Sequence, residues 1–361
     1  MTWRGGENQA RLLAEESQSD IKSFFIFPKG SAADNRLSEK FPHFYHSFKR
    51  LDFLKNLSSL TDWIQTADIQ VIDCQSSKAH NLGLIIKRKL PHLRLVIHRR
   101  VDYLPSKHFF GRLKYLSPRI DAYVGISQAI AEILKSYGVP ADKVHMVRSA
   151  VDSRPLKKLD EKQCKQLVRQ ELGLHQDRPI ILNVAYHTTQ KGIPTLIAAL
   201  GLLKSRQIKF HCLLAGAGPL SESAKSQAID LGLDADDVKF LGIRDDVFNL
   251  LLAADIFFLP SNFEGLGTSI LDAMHAGLPI VASAVGGIPE IVHQDENGML
   301  SAPGDAVAHS EALEKLCENP DLRSRLGKHS LKLASSQFSL EAMVQGNVEV
   351  FRSLYQKNKH F

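Results

Sequence analysis

The sequence predicts an α/β protein with two doubly wound, Rossmann-like domains. Its 361 residues are enough for two domains of ordinary size, and its 44% apolar content is typical of chains that bury a core. A second observation is the alternation of short apolar runs with helical runs that glycine or proline ends. This alternation is clearest from Ile256 to Val292, where strand, glycine loop and helix follow one another twice. Because ligands lie beyond the carboxyl ends of parallel strands, both loops mark a candidate binding edge.

In the first half, the helix expected at 7–16 follows a glycine loop at Gly5 and Gly6, and no strand precedes it. A domain of this type normally opens with a strand, and an empty central position would leave backbone groups unpaired. We therefore expect Met1 to be an internal start, rather than the sheet to lack a strand. Residues 102–118 are expected to form a long loop. The other predicted elements are strands at 23–27, 69–73, 93–97, 122–126 and 144–147, and helices at 78–90 and 128–137.

The chain is expected to divide into a first domain at 1–152 and a second at 179–338. Residues 153–178 carry many charges and are interpreted as a linker that contains a helix at 161–172. A final helix is expected within 339–361. The predicted strands of the second domain are 180–185, 209–215, 238–241, 255–259 and 279–282, and its predicted helices are 268–275, one that begins near Pro289, 306–317 and 321–335.

The residues that suggest chemistry lie around one glycine loop of the second half. Gly265 and Gly267 allow a ligand to approach the backbone, and the unpaired N–H groups of the helix that follows favour a phosphate. Thr268 is expected to cap that helix. Glu264 before the helix and Asp272 within it provide two carboxylates, whose natural partners are sugar hydroxyls. The loop therefore suggests a nucleotide-sugar site, while a capped helix with two solvated acids stays open as the alternative.

The same loop, EGLGTSILD at 264–272, is one of eight segments that occur in a characteristic order. Taken together, they resemble the retaining glycosyltransferases of the GT-B fold, in family four. The resemblance covers nearly the whole chain and implies two domains that face a central cleft, with the last helix crossing back onto the first domain. The other segments are TWRGGENQ (2–9), SSKAHNLG (76–83), HRRVDY (98–103), VGISQAI (124–130), NVAYHTTQKG (183–192), LLAGAGPL (213–220) and FLGIRDDV (240–247).

The resemblance also implies roles for single residues. Glu264, Lys191 and His98 are the expected catalytic residues: Glu264 faces the donor sugar, Lys191 supplies charge to the diphosphate, and His98 touches the sugar from the first domain. Asp272 stands where relatives carry glutamate, and it is expected to bind both ribose hydroxyls. Tyr186 replaces an arginine that the family usually has. The residues expected to contact the donor are Gly5, Gly6, Gly216, Gly218, Gly242, Ile243, Arg244, Gly265, Leu266, Gly267, Thr268 and Asp272.

The implied reaction moves a hexosyl group from a nucleotide-diphosphate sugar to a glycan or lipid-linked acceptor, with retention of anomeric configuration. Such transfers assemble lipopolysaccharide and other cell-surface polysaccharides. No metal and no cofactor other than the donor are expected. Two alternatives stay open: a nucleotide-sugar epimerase of similar fold, and a nucleotide-sugar-binding subunit with impaired catalysis.

Charge is shared unevenly along the chain. Residues 1–155 contain 24 Lys and Arg against 15 Asp and Glu, whereas the remainder contains 21 against 24. A basic first half favours an anionic partner, and an anionic membrane surface is the candidate. A solvated basic face without a partner stays open, and nucleic acid is not expected because no nucleic-acid-binding motif occurs. No apolar run could span a bilayer, and four scattered cysteines fit a cytoplasmic protein, for which the inner membrane face is a candidate location.

Overall fold

The structure is a computed structural model, which describes residues 5–48, 56–102, 104 and 108–356. The chain divides into two compact units. The first combines Met1–Ala150 with the segment from Leu340 onward, and the second is Val151–Ser339. The charged segment that was interpreted as a linker, with its helix, lies in the second unit. The last helix lies in the first.

The strands of the first unit form two separate parallel sheets within the described residues, one of order β1-β2 and one of order β3-β4-β5-β6. The elements in chain order are α1 (Gly5–Glu16), β1 (Phe25–Phe27), α2 (Asp34–Leu37), β2 (His43–Tyr45), α3 (Leu57–Thr66), β3 (Val71–Cys74), α4 (Ser77–Lys89), β4 (Arg94–Arg99), α5 (Phe109–Tyr115), β5 (Ala122–Gly125), α6 (Gln128–Ser136) and β6 (Val144–Met146).

Helices cover both faces of the first unit's sheets. On one face, α1 and the final helix contribute Leu12 and Phe351 to a buried core that includes Val71 of β3. On the other face, α3 and α4 contribute Ile86 and its neighbours to a core that includes Ile72. Adjacent residues of a strand point to opposite faces, so the two cores lie on opposite sides of β3. This unit is therefore a three-layer α/β arrangement.

The second unit contains one parallel sheet of order β12-β11-β10-β7-β8-β9. Its central strands are fully buried apolar runs, as expected for strands covered on both faces. The elements in chain order are α7 (Glu161–Leu172), β7 (Ile180–Val184), α8 (Ile193–Ser205), β8 (His211–Ala215), α9 (Ser221–Asp230), β9 (Val238–Gly242), α10 (Val247–Ala253), β10 (Ile256–Leu259), α11 (Thr268–His275), β11 (Ile280–Ser283), β12 (Gly298–Ser301), α12 (Ala306–Glu318) and α13 (Pro320–Gln337), and α14 (Leu340–Gln356) then returns to the first unit.

Two expectations for the first unit are wrong. Gly5 and Gly6 do not form a loop, because they are the first two residues of α1. The expected loop at 102–118 contains a helix, α5, which has no buried residue. Without a buried face the segment lacks the apolar periodicity by which a helix is identified in a sequence. Residues 2–4 and Tyr103 of the quoted motifs lie outside the described residues.

The second unit differs from expectation at one edge of its sheet. No full helix begins near Pro289, since Ile288–Glu290 forms a single 3₁₀ turn. Strand β12 was not predicted, because it is a short edge strand that starts with glycine and alternates weakly. The other strands lie within two residues of their predicted limits. Among the described residues, no helix is long and apolar enough to cross a bilayer.

Gly192 sets the distance between two loops of the second unit. It caps α8 with φ +64°, and a Cβ there would lie 1.7 Å from the Pro260 carbonyl oxygen at the end of β10. Gly173 has nearly the same backbone conformation, φ +61°, but nothing lies within 4 Å of its Cβ position. Substitution of Gly173 therefore introduces backbone strain alone, whereas substitution of Gly192 introduces both backbone strain and a steric overlap.

We predict that Gly192→Ala lowers the free energy of unfolding of the second unit by about 3 kcal/mol, since left-handed strain and overlap with Pro260 add. Gly173→Ala, the matched control, should cost only about 1 kcal/mol from strain. Urea unfolding followed by circular dichroism measures both. Equal losses in the two variants would contradict the close approach.

Candidate functional site

Lys191 and Glu264, both predicted as catalytic, form an ion pair in the second unit. Lys191 ends a 3₁₀ turn after β7, and Glu264 lies in the loop after β10. These strands are neighbours, with β8 and β9 on one side and β11 and β12 on the other. Between β7 and β10 the strand order reverses, which is the position where doubly wound sheets bind ligands. The structure thus brings the two residues together at the switch point of the sheet.

Hydrogen bonds to backbone carbonyls hold the two loops against each other. The Asn262 N–H donates to the Gln190 carbonyl at 2.8 Å, and Asn262 Nδ2 donates to the Thr189 carbonyl at 2.7 Å. In return, Gln190 Nε2 donates to the Phe263 carbonyl at 3.2 Å. These bonds do not involve the ion pair, so the position of each loop is fixed independently of it.

The amino end of α11 lies directly after Glu264. Thr268 was predicted to cap this helix, and that prediction is wrong. Gly267 is the cap, and Thr268 is the first helical residue. Gly267 has φ +92°, which suits glycine, and it offers no side-chain acceptor. The first N–H groups of α11, at Thr268 and Ser269, therefore have no partner within the helix. Such groups, together with the helix dipole, favour an anion such as a phosphate.

The glycine loop itself is buried. Gly265, Leu266 and Gly267 are all buried, and Leu266 is 1% exposed. Leu266 thus anchors the loop to the core of the second unit.

Asp272, on the second turn of α11, is a half-buried carboxyl in unfavourable surroundings for a charge. Burial, and to a smaller extent the negative charge of Asp152, raise its pKa to about 7. Asp152 itself pairs with Arg154, with 2.7 Å between Oδ1 and Nε. A carboxyl of this kind is stabilised by O–H donors, which a ribose diol would supply, and it would repel a phosphate.

Gly216 and Gly218 serve the packing of the second unit. A Cβ on Gly216 would lie 1.8 Å from the Ala185 carbonyl oxygen, and one on Gly218 would lie 2.4 Å from the His187 carbonyl oxygen. The Gly218 N–H donates to Ser221 Oγ at 3.0 Å. Both glycines are thus required where the loop after β8 crosses the loop after β7, whether or not a ligand binds.

In the turn after β9, the side chain of Arg244 already forms hydrogen bonds within the protein. Gly242 has φ +66°, with open space at its Cβ position, and Ile243 is 77% exposed. Arg244 donates to Glu171 at 2.6 Å and to Asp246 at 2.7 Å. These hydrogen bonds raise the pKa of the guanidinium. The exposed backbone and Ile243 are therefore what this turn presents to a ligand.

In the first unit, His98 lies within β4, one residue before its end, rather than after the strand as predicted. It is buried, and its Nε2 lies 3.1 Å from Asp73 Oδ1 at the end of β3. Burial and the charge of Arg100 hold the pKa of His98 well below its usual range, so the ring is neutral near pH 7. Burial raises the pKa of Asp73 to about 7.

Arg100 connects this pair to the amino end of α1. Its Nη2 donates to Gln75 Oε1 at 2.7 Å, and its Nη1 donates to Ser149 Oγ at 3.1 Å. Gly6 lies beside it, since a Cβ there would be 3.5 Å from Arg100 Cδ. The predicted donor contacts Gly5 and Gly6 therefore lie near the carboxyl ends of β3 and β4, but on a helix.

Two acids at these sites were missed. Asp73 stood at the end of a predicted strand, and that position was a usable signal. Asp152 lies 120 positions from Asp272, and no local pattern could have connected them. Within the described residues, no group of three or more His, Cys, Asp or Glu side chains is arranged to hold a metal ion.

Family comparisons match both halves of the chain. The family model described as Glycosyl transferases group 1 matches residues 165–332, and the model described as Glycosyltransferase Family 4 matches residues 3–154. The two matched ranges contain Lys191, Glu264 and Asp272 in one case and His98 in the other.

Individual related proteins share between a quarter and a third of their residues with this chain over the matched regions. The lipopolysaccharide core biosynthesis glycosyltransferase LpsE of Rhizobium meliloti is 30% identical over 185 residues, which are 51% of this chain and 53% of that protein. An α-1,3-N-acetylgalactosaminyltransferase of Campylobacter jejuni, which acts on N,N'-diacetylbacillosaminyl-diphospho-undecaprenol, is 25% identical over 292 residues, or 77% of this chain and 75% of that protein. The chain thus spans just over half of the length of LpsE.

Solved structures show the fold. The Anabaena protein HepE, crystallised with UDP and glucose, has a TM-score of 0.83 and 23% identity, with 97% of this chain and 96% of that chain covered. Likeness over both chains at this level shows that the present chain has the GT-B fold of two Rossmann-like domains.

The surroundings of Asp272 give a prediction about pH. Its pKa is raised on folding, so the native state is favoured when it is protonated, and this advantage is lost as pH rises from about 4 toward 7. Asp272→Asn should therefore raise the free energy of unfolding of the second unit at pH 8, by roughly 2 kcal/mol, with little effect at pH 4.

Urea unfolding at both pH values is the measurement. Asp230→Asn, which changes an exposed acid at the end of α9, is the matched control and should be neutral at both. A loss of stability in Asp272→Asn at pH 8 would show that the carboxylate is favourably bound in the free protein.

Proposed function

Because this chain belongs to the group 1 glycosyltransferases of family four, we propose that it transfers a hexosyl group from a nucleotide-diphosphate sugar to a glycan or lipid-linked acceptor. The observation that carries the proposal is the Lys191–Glu264 pair beside the amino end of α11. A cation, a carboxylate and unpaired N–H groups at a sheet switch point are the groups that a sugar diphosphate requires.

In the proposed complex, the diphosphate binds the N–H groups of the 265–269 segment. Lys191 pairs with Glu264, which directly precedes this segment, so in the complex it can share its charge with the diphosphate. As the bond between sugar and phosphate breaks, negative charge grows on the leaving oxygen, where Lys191 and the helix amino end stabilise it. Fixed loops make this stabilisation effective, because the groups need no reorganisation during the reaction.

Glu264 is then released from full pairing and faces the donor sugar, where its carboxylate accepts hydrogen bonds from hydroxyls. Asp272 accepts hydrogen bonds from the ribose diol, which also relieves its unfavourable burial. We further propose retention at the anomeric carbon, and transfer that does not require a metal ion. Nuclear magnetic resonance of the product reports the stereochemistry, and activity in a chelator reports metal dependence.

The acceptor is proposed to be a cell-surface glycan precursor, lipid-linked or lipopolysaccharide in nature. Two relatives support this, since their names state lipopolysaccharide core biosynthesis and a diphospho-undecaprenol acceptor. Such acceptors are held at membranes. Helix α5 of the first unit is suited to that surface: Phe109, Phe110 and Leu113 are 69%, 80% and 56% exposed.

The basic residues on and after α5 also support a membrane-binding role for this helix. Arg112 and Lys114 lie on α5, which contains no acidic residue, and Arg119 follows it as an exposed residue. Aromatic side chains with neighbouring basic groups bind the interface of anionic membranes. We propose that α5 places the first unit on such a surface, near its acceptor.

The donor-site proposal predicts distinct kinetic effects. Glu264→Gln and Lys191→Met should each lower kcat by about a hundredfold or more, because both act on the charge that develops in the transition state. Asp272→Asn should mainly raise the donor KM, since ribose is bound equally in ground and transition states. Steady-state assays with a panel of UDP-, GDP- and ADP-sugars measure these effects.

Glu222→Gln and Lys162→Met, which change exposed residues on α9 and α7, are the matched controls and should keep normal rates. Full turnover in Lys191→Met would refute the role of the ion pair. Nucleotide-sugar turnover without an acceptor would instead favour an epimerase.

The membrane assignment predicts that Phe109→Ser/Phe110→Ser lowers partitioning into phosphatidylglycerol vesicles by about tenfold or more, because each buried ring contributes roughly 1.5–3 kcal/mol. Ile229→Ser, at an apolar residue that is 74% exposed in the second unit, is the matched control. Sedimentation with vesicles is the assay. Equal partitioning into phosphatidylcholine vesicles would contradict the electrostatic part.

A further inference from the structure

Ser261 places a second donor on the carboxylate of Glu264. It follows Pro260, directly after β10, and it is fully buried. Its Oγ donates to Glu264 Oε2 at 3.4 Å, and the same oxygen accepts from Lys191. A fully buried hydroxyl requires a partner inside the protein, and for Ser261 that partner is Glu264. Glu264 Oε2 therefore lies between a charged donor and a neutral one.

Neighbouring loops hold the rest of Glu264 in place. Its carbonyl accepts from the Gly287 N–H at 3.2 Å, in the loop after β11. A Cβ on Gly267 would lie 3.6 Å from Glu264 Cγ, so the glycine loop lies beside its side chain. Glu264 as a whole is only 8% exposed. Because its backbone and Cγ are fixed in this way, the two donors on Oε2 determine how the carboxylate is oriented.

The two donors differ in strength and in freedom to move. A bond between a hydroxyl and a carboxylate usually measures about 2.5–3.0 Å, so at 3.4 Å Ser261 is the weaker partner, and Lys191 is the closer one. The Lys191 ammonium stands on a flexible four-carbon chain, and its side chain is 21% exposed. The Ser261 hydroxyl is one bond from Cβ and has no exposed surface. Lys191 can therefore move from Glu264 to a ligand, while Ser261 remains beside the carboxylate.

A diphosphate near Lys191 would change the donor on which Glu264 depends. In the proposed complex Lys191 shares its charge with the diphosphate, and this share grows as the leaving oxygen becomes negative. A buried carboxylate that loses part of its cation is destabilised unless another donor replaces it. Ser261 is already in position for this, because an approach of about 0.5 Å would bring its Oγ to the usual distance from Glu264 Oε2.

We propose that Ser261 is a positioning residue, which becomes the main partner of Glu264 Oε2 when Lys191 turns to the diphosphate of the donor. This inference rests on the proposed function. The hydroxyl keeps the carboxylate oriented toward the donor sugar at the stage of the reaction where the ion pair no longer does so. Because Ser261 is fully buried, it acts on the donor only through Glu264.

The first test needs neither a ligand nor activity. In the free protein each donor can compensate for loss of the other, so Ser261→Ala combined with Lys191→Met should lower the melting temperature by more than the sum of the single losses, by about 3 °C or more. Ser330→Ala is the matched control, since Ser330 on α13 is also fully buried and its Oγ donates to the Asn297 carbonyl at 3.1 Å. Its loss should simply add to that of Lys191→Met. Additive losses for Ser261→Ala as well would overturn the proposal.

The second test supplies the diphosphate without the sugar. UDP, GDP and ADP are added at saturating concentration, and whichever of them raises the melting temperature of the unsubstituted protein should raise that of Ser261→Ala by about 2 °C less. Ser330→Ala should gain as much as the unsubstituted protein. An equal gain in Ser261→Ala would overturn the proposal while leaving the donor site intact. No gain in the unsubstituted protein with any of the three nucleotides would instead refute the proposed function, and the exchange of donors with it.

Turnover provides the third test. Because Ser261 is needed most when the leaving oxygen carries negative charge, Ser261→Ala should lower kcat by about tenfold and leave the donor KM within about twofold. Ser261→Thr keeps the hydroxyl and should restore kcat to within about threefold of the normal value. A raised donor KM with unchanged kcat in Ser261→Ala would contradict the positioning role. So would an equally low kcat in the Ala and Thr variants, if both melt at the temperature of the unsubstituted protein.

Discussion

The second unit depends on the contact between the turn before α8 and the carboxyl end of β10. Gly192 lies so close to the Pro260 carbonyl that no side chain fits between them. Because β7 and β10 are adjacent at the centre of the sheet, this contact brings together the loops that follow two strands far apart in the chain. The Lys191–Glu264 ion pair is a consequence of that geometry. The two charged side chains meet because the backbones of their loops are packed against each other, and this packing does not depend on the ion pair.

Much of this could be predicted from the sequence, and physical reasons separate the successes from the failures. Buried parallel strands are continuous apolar runs, so those of the second unit were located within two residues, with the exception of the edge strand β12. Glu264 was singled out because it lies just after such a strand, whereas the role of Lys191 was predicted from the family resemblance, and both roles stay predictions. By contrast, α5 has no buried face, and the proximity of Asp152 to Asp272 arises from tertiary packing. Features that depend on contacts distant in the chain leave no local pattern.

Glycine illustrates the same limit in a different way. A glycine after a strand was interpreted as a place where a ligand approaches the backbone. At Gly216 and Gly218 the approaching group is the protein's own backbone, since Ala185 and His187 occupy the space a Cβ would need. At Gly267 the glycine adopts a positive φ and leaves the amino end of α11 without a side-chain cap. Both loops contain two glycines separated by one residue, but the neighbours of these glycines differ, and the sequence does not show that difference.

The two carboxylates around the glycine loop differ in a way that assigns their partners. Glu264 has a cation against it, so a ligand that approaches this carboxylate also meets the positive charge of Lys191. The charge of Asp272 is disfavoured by burial and by the carboxylate of Asp152, which together raise its pKa to about 7. A negatively charged ligand group would worsen that situation, whereas neutral hydroxyl groups would improve it by donating hydrogen bonds. In the proposed complex, the diphosphate therefore lies on the Lys191 side of the loop and the ribose on the side of Asp272. A nucleotide sugar can satisfy both conditions only if it lies along the amino end of α11, with its sugar toward Glu264.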